Sequence, residues 1–292
     1  MPDDIHIGNT DHSDTCSATH GAWHAELRLE FALDDGVSRL VGRRHSGPLR
    51  VQKPLYPEGG ALCHAIIIHP PGGVVGGDQL DVQAHVGAGA QALLTAPGAA
   101  KWYRANGHVT RQQVRLQAGA GAAIEWLPQE SIFFDQACVQ LRHEVELAAD
   151  ASYLGLDIVC LGRSASGEKF NSGSISQHTQ IRRGGKLLWW EQGVLAAGGA
   201  LMRSTLGMAG HSVCATLIAV GAVLPATLVA ALRELAQPAG ALFGVTQIKA
   251  LVVVRLLCGD SEAARRLMLQ AWQLLRPALL GRPGVVPRIW NT

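Results

Sequence analysis

The residues between 63 and 78 bring metal-binding side chain types together. Cys63 and His64 are adjacent, and the segment from His69 to Asp78 holds four glycines and two prolines. Thiolate, imidazole and carboxylate groups suit borderline dications such as Ni²⁺ and Zn²⁺. However, Cys63 and His64 enter an apolar run that predicts a strand, where neighbouring side chains point to opposite faces and cannot both bind one ion. A buried thiol and a hydrogen-bonded histidine are therefore favoured over a permanent metal site, and transient coordination stays open.

The segment from His69 to Asp78 is expected to be a rigid turn. Glycine adopts positive φ without steric cost and proline fixes φ, so this composition specifies one backbone shape. The segment has no lysine and no helix signal follows it, which argues against a phosphate-binding P-loop. Two interpretations of Asp78 remain: it caps the turn, or it faces something that binds or passes. His69 is interpreted as a structural turn residue rather than a ligand.

A second group of carboxylates lies in the segment 125–135, which includes Glu130 and Asp135. Paired carboxylates perform general acid–base chemistry in glycosidases, and layered β proteins include polysaccharide hydrolases. The aromatic residues of this segment are equally expected in a core. No nucleophile motif is present, because the segment 162–167 misses GxSxG by one residue, and there is neither a dinucleotide fingerprint nor a Walker sequence.

The composition favours a protein that works within a complex. Apolar residues make up 48% of the 292 residues and charged residues only 16%, so much of the surface must be weakly polar. A net charge of +2 does not supply the large positive excess that is typical of nucleic-acid-binding proteins. The six cysteines form no CxxC pair, which predicts reduced thiols in a cytoplasmic protein. The uncharged segment Ser212–Leu232 is broken by Gly221 and Pro225, which favours a strand and a helix over a membrane span.

Alternation of apolar and polar residues predicts many strands. Trp23–Phe31 and Leu80–Val86 alternate strictly, which is typical of half-buried strands in an antiparallel sheet. Gly184-Gly185 predicts the hairpin between the last two strands of the body. The other predicted strands are Ala65–Ile68, Ala92–Thr95, Gln113–Leu116, Ala123–Leu127, Glu144–Leu147, Tyr153–Cys160, Ser174–Ile181 and Leu187–Gln192.

A loose repeat indicates how the strands stack. The segment 87–94 recurs as 119–126, and more weakly as 148–155, with offsets of 32 and roughly 29 residues. Such spacing fits stacked sheet layers with a tight turn in each layer. The predicted fold is mainly β, with stacked antiparallel sheets in a β-solenoid-like body and a smaller α+β C-terminal part carrying two helices.

The character of the chain changes near residue 221. Pro225–Gln237 and Glu262–Arg276 are predicted helices, the second capped by Asp260 or Ser261 and ended by Pro277, with Val245–Leu256 as a strand between them. The predicted organisation is a disordered tail (1–20), a layered β body (21–220), an α+β part (221–281) and a C-terminal tail (282–292). The N-terminal tail has three histidines and a cysteine, which hold a metal loosely at most.

Taken together, these segments resemble the urease accessory proteins of the UreD family, also called UreH. The motifs run in order from about residue 23 to the C-terminus and are sparse only in the final third. The residues that carry the resemblance are Gly47-Pro-Leu-Arg-Val-Gln-Lys-Pro-Leu-Tyr-Pro-Glu58, Cys63-His64, His69-Pro-Pro-Gly-Gly73 with Gly76-Gly77-Asp78, Leu94–Arg104, Glu125–Glu130, Cys160-Leu161-Gly162-Arg163 with Gly167-Glu168, and Pro287-Arg288-Ile289-Trp290.

The resemblance implies a maturation factor and not an enzyme. Such proteins are largely β, dock on apo-urease and bind a UreF-like partner that recruits a UreG-like GTPase. Nickel from the GTPase is expected to pass through the UreD-like protein toward the urease active site. No permanently bound cofactor, no nucleic acid and no membrane are expected, and Ni²⁺ would be bound only transiently.

We hypothesise that Asp78 lines or gates this route, with Glu130, Asp135 and Glu168 as further candidates. Carboxylates bind such a dication weakly enough to release it. Cys63, His64 and His69 rank below these carboxylates as ligands. Two alternatives stay open: a β-solenoid or sandwich hydrolase that uses Glu130 and Asp135, and a scaffold with no metal role.

Overall fold

The computed structural model describes residues 21–291, which form two facing β-sheets and three α-helices. The predicted tail 1–20, with its candidate metal-binding histidines and cysteine, lies outside the described residues. The strands are β1 (His24–Asp34), β2 (Val37–Ser46), β3 (Arg50–Val51), β4 (Cys63–Ile68), β5 (Gln79–Val86), β6 (Gln91–Thr95), β7 (Ala100–Trp102), β8 (Thr110–Ala118), β9 (Ala123–Leu127), β10 (Ser131–Phe133), β11 (Cys138–Leu147), β12 (Ser152–Leu161), β13 (Ser174–Arg183), β14 (Lys186–Ala196), β15 (Val213–Val220), β16 (Leu242–Ile248) and β17 (Leu251–Cys258). The helices are α1 (Ala200–Arg203), α2 (Ala226–Arg233) and α3 (Ser261–Leu280).

The body is a solenoid of parallel strands. One sheet has the order β14-β13-β11-β8-β5-β1-β2, and the other runs β16-β17-β15-β12-β9-β6-β4-β3. Strands β1, β5, β8, β11 and β13 pair in parallel, as do β4, β6, β9 and β12. The mainly β, solenoid-like prediction is confirmed. The antiparallel direction was wrong for this body, because antiparallel pairs occur only toward its ends.

The predicted repeat is the stacking register of the solenoid. Ala92 pairs with Ile124, and Ile124 pairs with Tyr153, which reproduces the offsets of 32 and 29 residues. The turns stack as well: the amide of Gly119 donates to the carbonyl of Val86, and the amide of Ala148 donates to that of Ala118, at 2.8 and 2.9 Å. Each turn therefore sits on the turn before it and fixes the register of the next strand.

Two apolar layers hold the molecule together. Side chains between the two sheets form one core, including Leu27, Val82 and Leu116, all nearly inaccessible to solvent. A second core lies between the ten-stranded sheet and the helices, with Leu217 and Leu267 among its buried members. Within residues 21–291, no helix combines the length and apolar character that a membrane crossing needs.

The C-terminal elements differ from the sequence predictions in three places. The helix predicted for Pro225–Gln237 ends at Arg233. The segment 245–256, predicted as one strand, belongs to the antiparallel pair β16 and β17, and Lys249 in its turn has a φ of 54°. Helix α3 does not end at Pro277 but continues to Leu280 and ends at Gly281, whose amide bonds to the Pro277 carbonyl. Proline in the last turn removes only one helical hydrogen bond, which the packing of α3 tolerates. The prediction of Asp260 as its cap is confirmed, since its carboxylate accepts the amides of Glu262 and Ala263.

Candidate functional site

The carboxylate of Asp78 is buried and hydrogen-bonded within the protein. Its Oδ1 accepts the Trp23 amide at 2.9 Å and its Oδ2 accepts the Val75 amide at 3.1 Å. Asp78 is only 3% exposed, so water does not solvate its carboxylate. The two backbone amides supply hydrogen bonds in place of water. The carboxylate thus closes the glycine turn and ties the start of β1 to it.

Two of the four glycines of this turn, Gly73 and Gly76, are required by close packing. A Cβ at Gly76 would lie 1.8 Å from the Ala105 carbonyl oxygen, and one at Gly73 would lie 2.2 Å from the Tyr103 ring. His69, at the start of the turn, has a buried Nε2 without a hydrogen-bond partner among the described residues. Burial lowers the pKa of His69, against the opposing effect of Asp78, which favours the neutral imidazole.

Cys63 and His64 point in opposite directions, as expected for neighbours in a strand. Cys63 lies in the core between the sheets, and burial raises the pKa of its thiol. The Nε2 of His64 lies 2.9 Å from Glu58 Oε1, with both side chains almost fully buried. The two residues do not converge on one site.

The other candidate carboxylates lie in ion pairs or cap loops. Glu130 forms an ion pair with Arg265 of α3. Asp135 Oδ1 accepts the amides of Asn171 and Ser172 at 2.8 Å. Glu168 pairs with Arg163 and accepts the Asp135 amide at 3.0 Å, and the bond from Arg163 lowers its pKa. Nowhere in residues 21–291 do three or more His, Cys, Asp or Glu side chains form a group able to hold a metal ion.

A network of buried charges, centred on Arg276, escaped the sequence analysis. Its guanidinium is fully buried on α3, donates to both oxygens of Glu125 at 2.9–3.1 Å, and bonds to Glu58 at 2.6 and 2.9 Å. Trp272 Nε1 also donates to Glu125, at 2.7 Å. Burial acts to raise the pKa of Glu58, but the bonds from His64 and Arg276 prevail and lower it to about 2.

A cavity of about 640 Å³ lies between the two sheets at the C-terminal end of the solenoid. Glycines that line it help to leave the space unfilled: a Cβ at Gly193 or Gly244 would have no neighbour within 4 Å. The strands around it include β8, β9, β11, β12 and β13 of the solenoid, together with the antiparallel strands β14 to β17.

Polar side chains line this cavity in separate pairs. Asp157 on β12 accepts from Gln177 Nε2 at 3.1 Å, and burial raises the pKa of the Asp157 carboxyl to about 6. Glu191 accepts Arg255 Nη2 at 2.8 Å on both oxygens. Cys214 also lines the cavity, and burial raises its pKa to about 11. Pattern alone did not single out Asp157 or Glu191, because each occupies a position where strand alternation predicts a core residue.

The comparisons with known proteins agree on one family. The family model described as "UreD urease accessory protein" matches residues 24–291. A urease accessory protein UreD of Janthinobacterium sp. (strain Marseille) is 58% identical over 272 residues, covering 92% of this chain and 91% of its own. The UreD protein of Nitrosospira multiformis is 51% identical over 278 residues, covering 94% of this chain and 100% of its own. That of Pseudomonas savastanoi pv. phaseolicola is 49% identical over 271 residues, covering 93% and 96%.

These matches confirm the resemblance found in the sequence motifs. Members of this family are urease maturation factors and not enzymes, so the hydrolase alternative built on Glu130 and Asp135 is set aside. With a family match over nearly its whole length, the chain belongs to the UreD urease accessory protein family.

Proposed function

We propose that this chain is a nickel-insertion chaperone that docks on apo-urease in the cytoplasm and binds a UreF-like partner. Ni²⁺ supplied by a UreG-like GTPase would cross this protein as cargo and not as a resident cofactor. Family membership supports the role in urease maturation. The low content of charged residues supports a protein that functions within a complex.

The observation that carries the metal role is the cavity between the sheets, with polar side chains set in a mostly apolar lining. Asp157, Glu191 and Cys214 line it without forming a closed ligand set, and no third ligand clusters with any pair among the described residues. Separated carboxylates and a mostly protonated thiol bind a borderline dication weakly. Weak, spaced ligands let an ion enter and leave, which conduction requires and a tight site would prevent.

The carboxylates suggested by the sequence are weaker candidates for the nickel route than those of the cavity. Asp78, Glu130, Asp135 and Glu168 do not line this cavity, and they cap loops or form ion pairs elsewhere, which favours a structural part for them. Their place on a nickel route stays a prediction, as does that of Cys63, His64 and His69. The scaffold alternative, without a metal role, differs from this proposal in predicting no nickel binding.

Asp78→Ala separates the two interpretations of the turn. The variant is co-expressed with urease and the other accessory proteins, and binding of the UreF-like partner is checked first. With binding intact, a several-fold fall in urease nickel content places Asp78 on the route. Unchanged nickel content leaves it a capping residue only.

The scaffold alternative is tested by direct titration. The purified chain together with its UreF-like partner is titrated with Ni²⁺ at micromolar concentrations. Measurable binding that weakens in Asp157→Asn supports the chaperone proposal. An assembled complex with no detectable nickel binding would favour the scaffold.

A further inference from the structure

The two sheets end unevenly at the C-terminal end of the body. Strand β14 is the last of the seven-stranded sheet and β16 the last of the ten-stranded sheet. Across the interior, Glu191 on β14 bonds to Arg255 on β17 at 2.8 Å. This pair joins β14 to β17 across the interior, and β16 lies one strand farther out, at the edge of its sheet.

The inner side of β16 is apolar and open to solvent. Leu242 pairs with Leu257 and Gly244 with Arg255, so the residues of this side share the face of the Arg255 side chain. Leu242 is 47% exposed and Ile248 is 56% exposed, although both point toward the layer occupied elsewhere by the core. No strand therefore covers this width of the interior, although Leu201 and Leu206, which follow β14 in sequence, line the same opening as Leu242.

The free edge of β14 borders this uncovered width. Strand β14 pairs with β13 on one side, and no strand within residues 21–291 pairs with its other side. On its outer face, Trp190 and Val194 are each 53% exposed. An unpaired edge with apolar side chains is a template for adding another strand.

The opposite edge of the same sheet is protected against such pairing. Strand β2 carries Arg39, Arg43, Arg44 and His45. Between Leu187 and Met202, by contrast, the only charged residue is Glu191, which Arg255 neutralises. Charges on an edge strand are a common device against edge-to-edge pairing, and β14 carries only Lys186 at its first position besides the paired Glu191.

We propose that β14 receives an extended strand from a partner protein, uncharged and apolar at alternating positions. Bonded to the edge of β14, this strand lies opposite β16 and covers Leu242 and Ile248. Its other face extends the surface of Trp190 and Val194. Main-chain hydrogen bonds supply affinity in this mode, and the side chain pattern supplies specificity.

Other occupants fit the edge less well. The segment 1–20 of this chain carries four aspartates and is mostly polar, which does not match an uncharged apolar edge. A second copy would meet a steric obstacle. Antiparallel pairing of two β14 strands about a two-fold axis brings both β16 strands into the same space. The space beside β14 and opposite β16 is one strand wide, so it fits a single extended strand rather than the edge of a second two-sheet body.

The choice of binding partners rests on the proposed function, whereas the edge itself is a feature of the fold. The purified chain is mixed in turn with a UreF-like accessory protein and with apo-urease, and hydrogen exchange of residues 186–196 is followed. We expect one of them to slow exchange of alternate β14 amides at least tenfold. Leu242→Lys and Ile248→Lys should each weaken that binding at least tenfold, while Val41→Lys, which is 60% exposed on β2, should leave it unchanged.

Four results would overturn the inference. The first is that neither protein slows hydrogen exchange in β14, and the second is that neither lysine variant weakens binding. The third is that deletion of residues 2–20 speeds exchange in β14. The fourth is that the chain alone forms a dimer in analytical ultracentrifugation with the β14 amides protected. The last two assign the edge to the chain's own tail or to a second copy. Urease nickel content is read separately, so a failed exchange result with normal nickel overturns this inference and leaves the proposed function intact.

Discussion

At the scale of single residues, Arg276 joins the C-terminal helix to the solenoid. It is fully buried and lies between the carboxylates of Glu58 and Glu125, with its guanidinium 4.8 Å from the centre of the Trp272 ring. A buried ion pair offers little net stability over apolar residues, because desolvation offsets the attraction. Removing one partner is costly, since it leaves a buried charge unpaired.

Arg276→Met should therefore destabilise the protein strongly. We expect a loss of about 3–5 kcal/mol in the free energy of unfolding, measured in urea, since Glu125 stays buried without its cation. Arg266→Met on the same helix is the matched control, because its pair with Glu262 is exposed and worth roughly 0.5 kcal/mol or less. Equal losses in the two variants would contradict this role of Arg276.

Asp157 should make stability depend on pH in the opposite sense to a paired carboxylate. Its pKa is about 6 in the folded protein and about 3.9 in an unfolded chain, so the folded state binds more protons between these values. Stability should fall as the pH rises from about 4 to about 6, and the cost persists at pH 7. Asp157→Asn should recover on the order of 3 kcal/mol at pH 7 and flatten this part of the profile. A variant less stable than the parent at pH 7 would refute the assignment.

Glu58 should have the reverse effect at lower pH. Its folded pKa of about 2 lies below the unfolded value, so its contribution is complete above about pH 4.5 and is lost as the pH falls toward 2. In Glu58→Gln, the slope of unfolding free energy against pH between about 2 and 4.5 should decrease. An unchanged slope would show that His64 and Arg276 do not stabilise this carboxylate.

At the scale of elements, the glycine turn at 69–78 acts as a spacer that lets loops approach. Gly76→Ala should destabilise the protein by at least 2 kcal/mol, on the order of an overpacked core site, since the added Cβ meets the Ala105 carbonyl. Gly98→Ala is the control: its Cβ would have no neighbour within 4 Å, and the change should be nearly neutral. Thermal unfolding of both variants makes the comparison, and equal midpoints would contradict the close approach.

Much of the strand content was predictable because burial imposes a period of two. Ala123–Leu127 was predicted with its exact bounds, and the repeat at 32 and 29 residues proved to be the solenoid register. Strand direction was not predictable from alternation, since parallel strands with one solvated face alternate in the same way as antiparallel ones. The offset of the repeat carried that information, because a constant spacing near 30 residues returns the chain in the same direction.

The candidate site was harder to predict because its members are distant in sequence. Arg276 meets Glu125 across 151 positions and Glu58 across 218, so no local pattern marks it. Asp157 occupies an apolar strand whose period predicts a core residue. Asp78 was identified correctly as important to its turn, and its two amide bonds match the capping interpretation.

At the scale of the whole molecule, the solenoid ends in a cavity that is lined in part by polar side chains and in an unpaired sheet edge. Stacked turns and two apolar cores fix the strands, and the protein carries no cluster of three metal ligands within residues 21–291. The cavity lies where the solenoid gives way to antiparallel strands, close to β16.

The most direct test of this account is the nickel content of urease matured in the presence of Asp157→Asn. The variant keeps the shape of the side chain, removes its charge and should be more stable at pH 7, so unfolding cannot explain a loss. Asp150→Asn, on an exposed turn, is the matched control. We predict several-fold less nickel per urease active site with Asp157→Asn and normal content with the control. Normal nickel content with both variants would contradict a passage through the cavity.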